Sequence, residues 1–310
     1  MITLTPNSTI QQIKRALSSS KEVTFTKGKY IITQTLYLHS NTTLIMESPH
    51  FVQGAKIHNM FMSYTKYSTT RYNGIHDLII KGNCTIEGMS KYKTKLNLMT
   101  LWHAKDCSLE GISFVDVSGF HHLELNGCKN VTVKDCGFYG YNSMGETAFR
   151  ESCQLDNSSC SAIFVHPSGS ACYDNTPCTG IKFINCKFGK SNSFPASQTG
   201  IGNHCQFTTK SDDILISNCN FAGNGIGIRL VGMNDVTIDN CTMTGCDRAI
   251  YLTNYGYTYN SNGNKLKPSS GDGACDNVKI KGLKVLSPTG KYKGYRILAK
   301  KCGGHEYDEE

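Results

Sequence analysis

The sequence predicts an all-β solenoid, a single-stranded parallel β-helix, because one phrase returns along the chain and because that phrase has an internal period of two. Each copy alternates apolar and polar residues, then places Asn or Asp, Cys, a polar residue and a large apolar residue. Such a unit of about 22 residues cannot bury its own apolar face and must stack on its neighbours. The copies are VTVKDCGFYG from Val131, IKFINCKFGK from Ile181, ILISNCNFAG from Ile214 and VTIDNCTMTG from Val236.

The period within each unit decides the kind of solenoid. Leucine-rich and helical repeats need a helical run in every unit, whereas the chain between Val131 and Leu252 alternates with a period of two and is punctuated by Gly and Asn. This pattern favours strand, bend and strand in each turn. Equivalent residues of successive turns are then expected one strand spacing apart, about 4.8 Å.

We predict a single domain over residues 1–310, because the repeat runs through most of the chain. Residues 158–180 and 254–276 are rich in Ser, Gly and Asn and interrupt the repeat, which resumes after each. They are therefore interpreted as loop insertions. Residues 8–18 are predicted to form a helix that covers the open end of the coil, with Ser8 as its N-cap.

Composition limits the partners that the chain can take. The 32 Lys and Arg residues exceed the 24 Asp and Glu residues, giving a net charge of +8, and they are scattered along the chain. This distribution suits a solvated surface or attraction to an acidic polymer. No nucleic-acid motif and no membrane-spanning stretch is visible, so neither nucleic-acid binding nor membrane insertion is expected. The N-terminus lacks signal-peptide features, as expected for a phage-borne, intracellular or signal-processed protein.

Cysteine is frequent, with 15 residues. At least four of them occupy the same point of the repeat, which predicts a ladder of unpaired thiols at a tight corner of the coil. These are Cys136, Cys186, Cys219 and Cys241. Four others, in or beside the first insertion, are the expected disulfide formers, while the absence of CxxC spacing argues against zinc. They are Cys153, Cys160, Cys172 and Cys178.

A capping helix, then the segment VTFTKGKYII…TLYLHSNTTLI, then turns of the form Asn-Cys-x-Phe, resembles the pectin-lyase-like superfamily of right-handed parallel β-helices over nearly the whole chain. The resemblance implies a right-handed coil. It also implies carbohydrate chemistry, more often than not on acidic polysaccharides, in a groove on one parallel sheet.

In the strands that follow each Asn-Cys phrase, the apolar positions mark the inward side. The residues between them therefore define the face that could carry chemistry. Two outward rows result, with His122 just before the first, on the same face. The first row is predicted to hold Glu124, Gln154, Gly202, Gly227 and Tyr251, and the second to hold Asn126, Asp156, His204, Arg229 and Thr253.

Two glycines in adjacent turns would leave a depression in this face. A depression ringed by acids, a base, a cation and an aromatic ring meets the needs of a sugar subsite, namely stacking, charge pairing and proton transfer. The alternative is that the glycines accommodate an overlying loop and that Asp156 and Arg229 form a structural ion pair. Trp102, the only tryptophan, is expected either as a sugar platform at the edge of this sheet or as a core residue.

For glycoside hydrolysis, Asp156 is predicted as the principal acid or base and Glu124 as its partner. One turn and a two-residue offset separate them, roughly 8 Å between backbones, which is compatible with an inverting pair. His204 is expected to tune or transfer a proton, and Arg229 to clamp a substrate carboxylate. The predicted substrate-binding residues are Arg229, Gln154, Tyr251, His122, Asn126 and Glu151.

Agreement with the polygalacturonase branch is partial. Gln154-Leu155-Asp156, Gly202-Asn203-His204 and Arg229 follow in the order of that family's phrases. The Asp-Asp pair of that family is missing from the expected strand, because Asp212 and Asp213 lie at a coil corner.

Two other functions stay open at this stage. A lyase or epimerase would neutralise a uronate with Arg229 and abstract a proton with His204 or Tyr251. A phage tail or cell-wall adhesin would hold a glycan without chemistry. No cofactor is expected, and calcium is left open although no acidic cluster supports it. The partner is expected to be a polysaccharide, and the chain a monomer or a side-by-side homotrimer.

Overall fold

The computed structural model describes residues 1–66, 69–145, 150–158, 174–203, 209–253 and 274–290, and the backbone alone of four short strands beyond them. The chain forms a right-handed parallel β-helix built from two long parallel sheets, as the repeat predicts. Residues 158–180 were predicted as an insertion, and most of that segment lies outside the described residues. The predicted insertion 254–276 contributes a small antiparallel pair, β24 (Thr258–Tyr259) and β25 (Lys265–Leu266).

Sheet A has 18 strands and supplies two ribbons of the coil, since most turns contribute a strand, a bend and a second strand to it. Its strands are β1 (Ile2–Leu4), β2 (Glu22–Phe25), β3 (Gly28–Ile32), β5 (Thr43–Gln53), β7 (Ile79–Glu87), β9 (Lys105–Glu110), β10 (Ile112–Ser118), β12 (Lys129–Lys134), β13 (Gly137–Asn142), β15 (Thr179–Ile184), β16 (Lys187–Gly189), β18 (Asp212–Ser217), β19 (Asn220–Ala222), β21 (Asn234–Asp239), β22 (Thr242–Thr244), β26 (Asp276–Lys281), β27 (Lys284–Leu286) and β29 (His305–Tyr307).

Sheet B has nine strands and carries the candidate functional face. All of its pairings are parallel and follow the order of the chain, so each strand lies beside its equivalent in the next turn. Its strands are β4 (Leu36–Leu38), β6 (Asn59–Ser63), β8 (Asn97–Trp102), β11 (Leu123–Asn126), β14 (Glu151–Asp156), β17 (Thr199–Gly202), β20 (Ile226–Val231), β23 (Arg248–Thr253) and β28 (Ile297–Lys300). A single 3-10 turn, Ser90–Tyr92, precedes β8.

The bend between the two ribbons of sheet A explains why each phrase carries Asn or Asp before Cys. Asp135, Asn185, Asn218 and Asn240 occupy this position and have φ of 53°, 56°, 54° and 50°. Asn and Asp tolerate this left-handed conformation better than other side chains do. They also stack between turns, since Nδ2 of Asn185 donates to Oδ1 of Asp135 at 3.1 Å and Nδ2 of Asn240 donates to Oδ1 of Asn218 at 2.6 Å.

The next residue of each phrase confirms the predicted thiol ladder. Cys136, Cys186, Cys219 and Cys241 are buried and unpaired by disulfides. Burial raises the pKa of Cys136, as expected of a thiol that packs as a small hydrophobe. The prediction of disulfides was wrong for Cys153 and Cys178, which are also free buried thiols because they point into the coil. Cys160 and Cys172 lie outside the described residues.

The large apolar residue of each phrase forms a stack along the axis of the coil. Phe114, Phe138, Phe188 and Phe221 are fully or almost fully buried. Ring centroids are 5.2 Å apart for the first pair, 4.8 Å for the second and 4.5 Å for the third, with interplanar angles of 5°, 15° and 5°. The parallel arrangement follows from the one-strand spacing between turns.

The capping helix α1 (Ile10–Ser19) covers the first turn of the coil, as predicted. Its N-cap is Thr9 and not Ser8, because Thr9 and Gln12 form a reciprocal capping box. The backbone N–H of Thr9 donates to Oε1 of Gln12 at 2.7 Å, and the backbone N–H of Gln12 donates to Oγ1 of Thr9 at 3.2 Å. Ser8 instead accepts from the backbone of Thr5.

Candidate functional site

The outer face of sheet B, the side that points away from the core, holds most of the predicted site. Glu124 pairs with Gln154, and Asn126 pairs with Asp156, as the sequence alignment predicts. Gly202 follows Gln154 in the same row. The alignment was wrong by two residues at β20, because Arg229 and not Gly227 pairs with Gly202 and with Tyr251. We call this row the outer row; it contains Thr100, Glu124, Gln154, Gly202, Arg229 and Tyr251.

Gly227 faces the core, which is the physical reason for the error. A Cβ on Gly227 would lie 2.4 Å from Sδ of Met243 and 2.7 Å from the carbonyl oxygen of Ala249. Gly227 and Ile228 therefore both point inward, as do the equivalent Ala249 and Ile250 of the next turn, which both belong to the core. The expected pair of bare glycines on the outer face is thus reduced to Gly202.

We expect Gly227→Ala to lower the free energy of unfolding by about 1–3 kcal/mol, because the added methyl group overpacks the coil against a backbone carbonyl. Chemical denaturation checks this result. The matched control is Gly189→Ala, since a Cβ there would have its nearest neighbour at 3.8 Å. Equal stability of both variants would contradict the inward orientation of Gly227.

The sequence predicts a bare depression at Gly202. In the structure this space is filled, because the side chain of Glu151 lies over the glycine. A Cβ on Gly202 would lie 2.6 Å from Cγ of Glu151. By crossing this position, the Glu151 carboxylate reaches Arg229, with 3.5 Å between Oε1 and Nη1. The two side chains are 1% and 6% exposed, so the outer face contains a buried ion pair.

The described ion pair of Arg229 is thus with Glu151, whereas the sequence alternative paired it with Asp156. Arg229 also donates from Nη1 to the carbonyl oxygen of Asn203, at 3.3 Å. Neither carboxylate oxygen of Glu151 has a hydrogen-bond partner among the described residues. The Glu151 oxygens, predicted to contact substrate, therefore keep hydrogen-bond capacity beyond the ion pair.

Glu124 is held by residues that the sequence analysis missed. Nδ2 of Asn97 donates to Oε2 of Glu124 at 2.5 Å, and Oγ1 of Thr100 lies 3.3 Å from the same oxygen. Oγ1 of Thr100 also donates to Oδ1 of Asn59 at 2.8 Å, which extends the network one turn further. Asn97 has no distinctive sequence context, so only its register in the coil could have identified it.

In the second outward row, Asn126 pairs with Asp156 on one side and with Trp102 on the other. Asp156 is 1% exposed and Asn126 is fully buried. Neither amide atom of Asn126 has a hydrogen-bond partner among the described residues. Because an unsatisfied buried amide costs about 1–3 kcal/mol, this donor and acceptor are suited to a ligand. Trp102 is 3% exposed and does not belong to the core cluster, so it packs on the outer side of the sheet.

His122 is in the interior and not on the outer face, which corrects its prediction as a substrate-binding residue. Its Nε2 lies 3.2 Å and 3.1 Å from the carbonyl oxygens of Tyr139 and Gly140. Burial lowers the pKa of His122 to about 4. The imidazole is therefore neutral at pH 7, and it serves to satisfy backbone carbonyls at the corner of the coil.

Gln154 and Tyr251 lie in the outer row as predicted, and both are buried. Cζ of Arg248 is 4.9 Å from the ring centroid of Tyr251, so this ring already contacts a cation. His204 lies outside the described residues. Within the described part of the chain, no group of three or more His, Cys, Asp or Glu side chains is arranged to hold a metal ion.

The side chains of the predicted groove are almost completely buried in this structure. Glu124, Gln154 and Arg229 are each 5% exposed, and Tyr251 is 8% exposed. Buried carboxylates with few competing water molecules interact strongly with any charge that reaches them. Among the described residues, no helix is long and apolar enough to span a membrane.

Comparison with known proteins supports the fold and gives no sequence relative. No protein-family model matches the chain, and no curated protein matches it in sequence. The structure is similar to PfbA, a surface protein and adhesin of Streptococcus pneumoniae, with a TM-score of 0.74 and 18% identity over 95% of this chain and 82% of that one. It is also similar to a family 28 exopolygalacturonase of Yersinia enterocolitica, with a TM-score of 0.61 and 12% identity over 98% of this chain and 64% of that one.

A third similar structure is an alginate lyase from a Paenibacillus species, with a TM-score of 0.59 and 12% identity over 99% of this chain and 98% of that one. An adhesin, a hydrolase and a lyase thus share this architecture. At these identities the likeness establishes the right-handed parallel β-helix fold alone.

Proposed function

We propose that this protein acts on a polysaccharide at the outer face of sheet B and cleaves glycosidic bonds there by hydrolysis. The observation that carries the proposal is the position of two carboxyl groups, Glu124 and Asp156, on adjacent strands with a two-residue offset. Strand geometry places the backbones of residues in this relation roughly 8 Å apart. Inverting glycosidases hold their two carboxyl groups about 6.5–9.5 Å apart, which leaves room for a water molecule.

We assign the role of base to Glu124, whose carboxylate is positioned by a hydrogen bond from Asn97. We assign the role of acid to Asp156 on the adjacent strand. In this scheme Asp156 gives its proton to the glycosidic oxygen, Glu124 takes a proton from water, and the resulting hydroxide adds to the anomeric carbon as the bond to the leaving oxygen breaks.

The neighbouring groups suit the remaining needs of such a site. The amide of Asn126 lies beside Asp156, is buried, and offers both a donor and an acceptor to sugar hydroxyls. Arg229 is positioned by its ion pair with Glu151, and its guanidinium offers further N–H donors to a sugar carboxylate. The net charge of +8 favours approach of an acidic polymer to the protein as a whole.

The test is to incubate the protein with a panel of acidic and bacterial surface polysaccharides, and to measure new reducing ends together with ultraviolet absorbance. We expect reducing ends without absorbance, and a loss of about 100-fold or more in rate in Asp156→Asn and in Glu124→Gln. The control is Glu110→Gln, because Glu110 lies on sheet A, is 43% exposed and pairs with Lys134. Undiminished cleavage by Asp156→Asn would refute the assignment, and absorbance that rises with the reducing ends would indicate a lyase.

Glycan binding without cleavage is a second candidate, favoured by a cluster of aromatic rings in the first turns, of which Tyr64 is exposed. The ring of Tyr64 is stacked on that of His39 at 5.0 Å and meets that of Tyr37 edge-on at 6.1 Å. Tyr64 is 45% exposed, so part of its ring is open to a ligand. Such a cluster suits stacking on sugar rings. Retained glycan binding with no cleavage by the wild type would favour this function over hydrolysis.

A further inference from the structure

A pocket of about 580 Å³ lies at the corner of the coil that follows β14. It is outside the candidate site described above, and its volume is within the range of about 300–1,000 Å³ that is usual for small-molecule sites. Two segments of the chain that are distant in sequence, around residues 70–72 and 174–177, form its walls together with Thr209. The residues that matter for the argument are Arg71, Tyr72, Asp174, Asn175 and Thr209.

Asp174 joins the two walls. Its Oδ1 accepts hydrogen bonds from the hydroxyl groups of Ser158 and Thr176, both at 2.6 Å. Its Oδ2 accepts from the backbone N–H of Arg71 at 2.6 Å. Burial opposes ionisation of Asp174, but these hydrogen bonds outweigh it and hold the pKa of the carboxyl below its ordinary value. Asp174 is therefore an ionised positioning residue whose acceptor capacity is largely used.

The backbone of Arg71 is fixed at both ends. Its N–H donates to Asp174, and its carbonyl oxygen is hydrogen-bonded to Nδ1 of His103, which is fully buried. Arg71 has φ of 48°, a left-handed conformation that a non-glycine residue adopts at a cost. The guanidinium extends from this fixed backbone and forms no ion pair with any residue that the structure describes. Arg71 is exposed and contributes a positive charge to the pocket wall, which also carries the ionised carboxylate of Asp174.

The same wall also carries an aromatic ring, which is fixed as well. The hydroxyl group of Tyr72 donates to the carbonyl oxygen of Pro177 at 3.0 Å. Burial raises the pKa of Tyr72 to about 12, so the phenol stays neutral. Nζ of Lys129 lies 5.7 Å from the centre of the Tyr72 ring and places a second positive charge over that ring. Positive charge beside a neutral ring suits a sugar that carries a carboxylate.

Hydrogen bonds tie this pocket to the strand that carries Asp156. Asn157 follows Asp156 directly, and its Nδ2 donates to Oδ1 of Asn175 at 3.2 Å and to the carbonyl oxygen of Thr209 at 2.7 Å. Nδ2 of Asn175 in turn donates to Oγ1 of Thr209 at 3.0 Å. Two residues of the pocket, Asn175 and Thr209, are therefore hydrogen-bonded to the neighbour of the candidate catalytic Asp156.

We propose that this pocket is a subsite for a uronate, in which Arg71 pairs with the sugar carboxylate and the ring of Tyr72 lies against the sugar. The proposal rests on the proposed function in taking its ligand from an acidic polysaccharide. It goes beyond that function, because it places recognition of charge at the corner after β14, separate from Arg229.

The test uses Arg71→Gln, which keeps the fixed backbone and removes the charge. The probes are oligosaccharides of galacturonate and of glucuronate, with an uncharged galactose oligosaccharide for comparison, and binding is measured by calorimetry on the full chain. We expect both the wild type and Asp156→Asn to bind at least one acidic probe more tightly than the uncharged one. In Arg71→Gln we expect that affinity to fall by about 10- to 100-fold, as for loss of a hydrogen bond to a charged group.

The matched control is Arg15→Gln, which makes the same change on the exposed side of α1. Equal affinity of Arg71→Gln and Arg15→Gln for the acidic probe would overturn the proposal. So would equal affinity of the wild type for the acidic and uncharged probes, or no binding of any acidic probe. Loss of cleavage in Asp156→Asn with binding intact would separate this subsite from the proposed catalytic pair. Binding without cleavage by the wild type would contradict only the proposed hydrolysis.

Discussion

Replacing Arg229 by Met is expected to lower the free energy of unfolding by about 3–5 kcal/mol, the range found when one partner of a buried ion pair is removed. The cause is Glu151, whose side chain is 1% exposed and would be left buried without its cation. Its carboxylate oxygens have no hydrogen-bond partner among the described residues that would compensate for the loss. The Glu151 side chain also packs directly over Gly202, which limits the positions that its carboxylate can take.

The measurement is denaturant unfolding of the variant and of the double variant Glu151→Gln, Arg229→Met. The double variant removes the buried charge together with its partner, so we expect it to recover much of the lost stability. Additive losses in the two single variants and the double variant would show that the two side chains are not coupled. A loss of less than 1 kcal/mol in Arg229→Met would show that the pair is solvated in solution.

Phe188→Ala is expected to have an effect of similar size, about 3–5 kcal/mol, through loss of a stacked ring in the core. Phe188 lies between Phe138 and Phe221, with centroids at 4.8 Å and 4.5 Å. Its removal leaves a cavity that the neighbouring rings cannot fill, because their own positions are set by the strand spacing of the coil. One substitution therefore removes two ring contacts at once.

Thermal and denaturant unfolding of Phe188→Ala and Phe188→Leu check this expectation. Leu fills much of the volume without the flat ring, so its cost should be clearly smaller than that of Ala. If both variants lost the same stability, filled volume would contribute nothing, and the loss would come from the flat ring itself. If Phe188→Ala lost less than 1 kcal/mol, the coil would relax around the cavity more readily than a packed core does.

The sequence predicted the coil well wherever a residue type has one physical reason to be at its position. Asn185 and Asn218 stand at a bend that needs a left-handed backbone, and Cys186 and Cys219 fill the corner that follows. These requirements are local and repeat every turn, so a single sequence displays them. The N-cap was missed by one residue, because Ser8 and Thr9 are both good caps and only the geometry with Gln12 selects Thr9.

The candidate site was predicted less well, because alternation fixes a face but not a register. In the run from Gly225 to Val231, both Ile226 and Ile228 suit an inward position, and a shift of two residues preserves the pattern. The structure pairs Ile228 with Ile201, which brings Arg229 beside Gly202. The contact between Glu151 and Arg229 spans two turns, so no local pattern could have revealed it.

The pocket beside Tyr72 could not be predicted either, because it too depends on contacts between distant parts of the sequence. Its walls come from residues about 100 positions apart, and the hydrogen bond that joins Asp174 to Arg71 spans 103 positions. His122 was misplaced because a histidine next to an outward-facing acid gives no sign that its ring turns to the carbonyls of Tyr139 and Gly140.

The columns of equivalent residues also determine how such a chain can change length. Inserting or deleting one residue within a turn would move every later side chain out of its column, whereas adding or removing a complete turn leaves each Asn, Cys and Phe above its equivalent. Between columns, the corners tolerate extra residues, as the pocket segments around Tyr72 and Asp174 show. Variation in this scaffold is therefore expected in whole turns and at corners, so that a new recognition loop can arise without repacking the core.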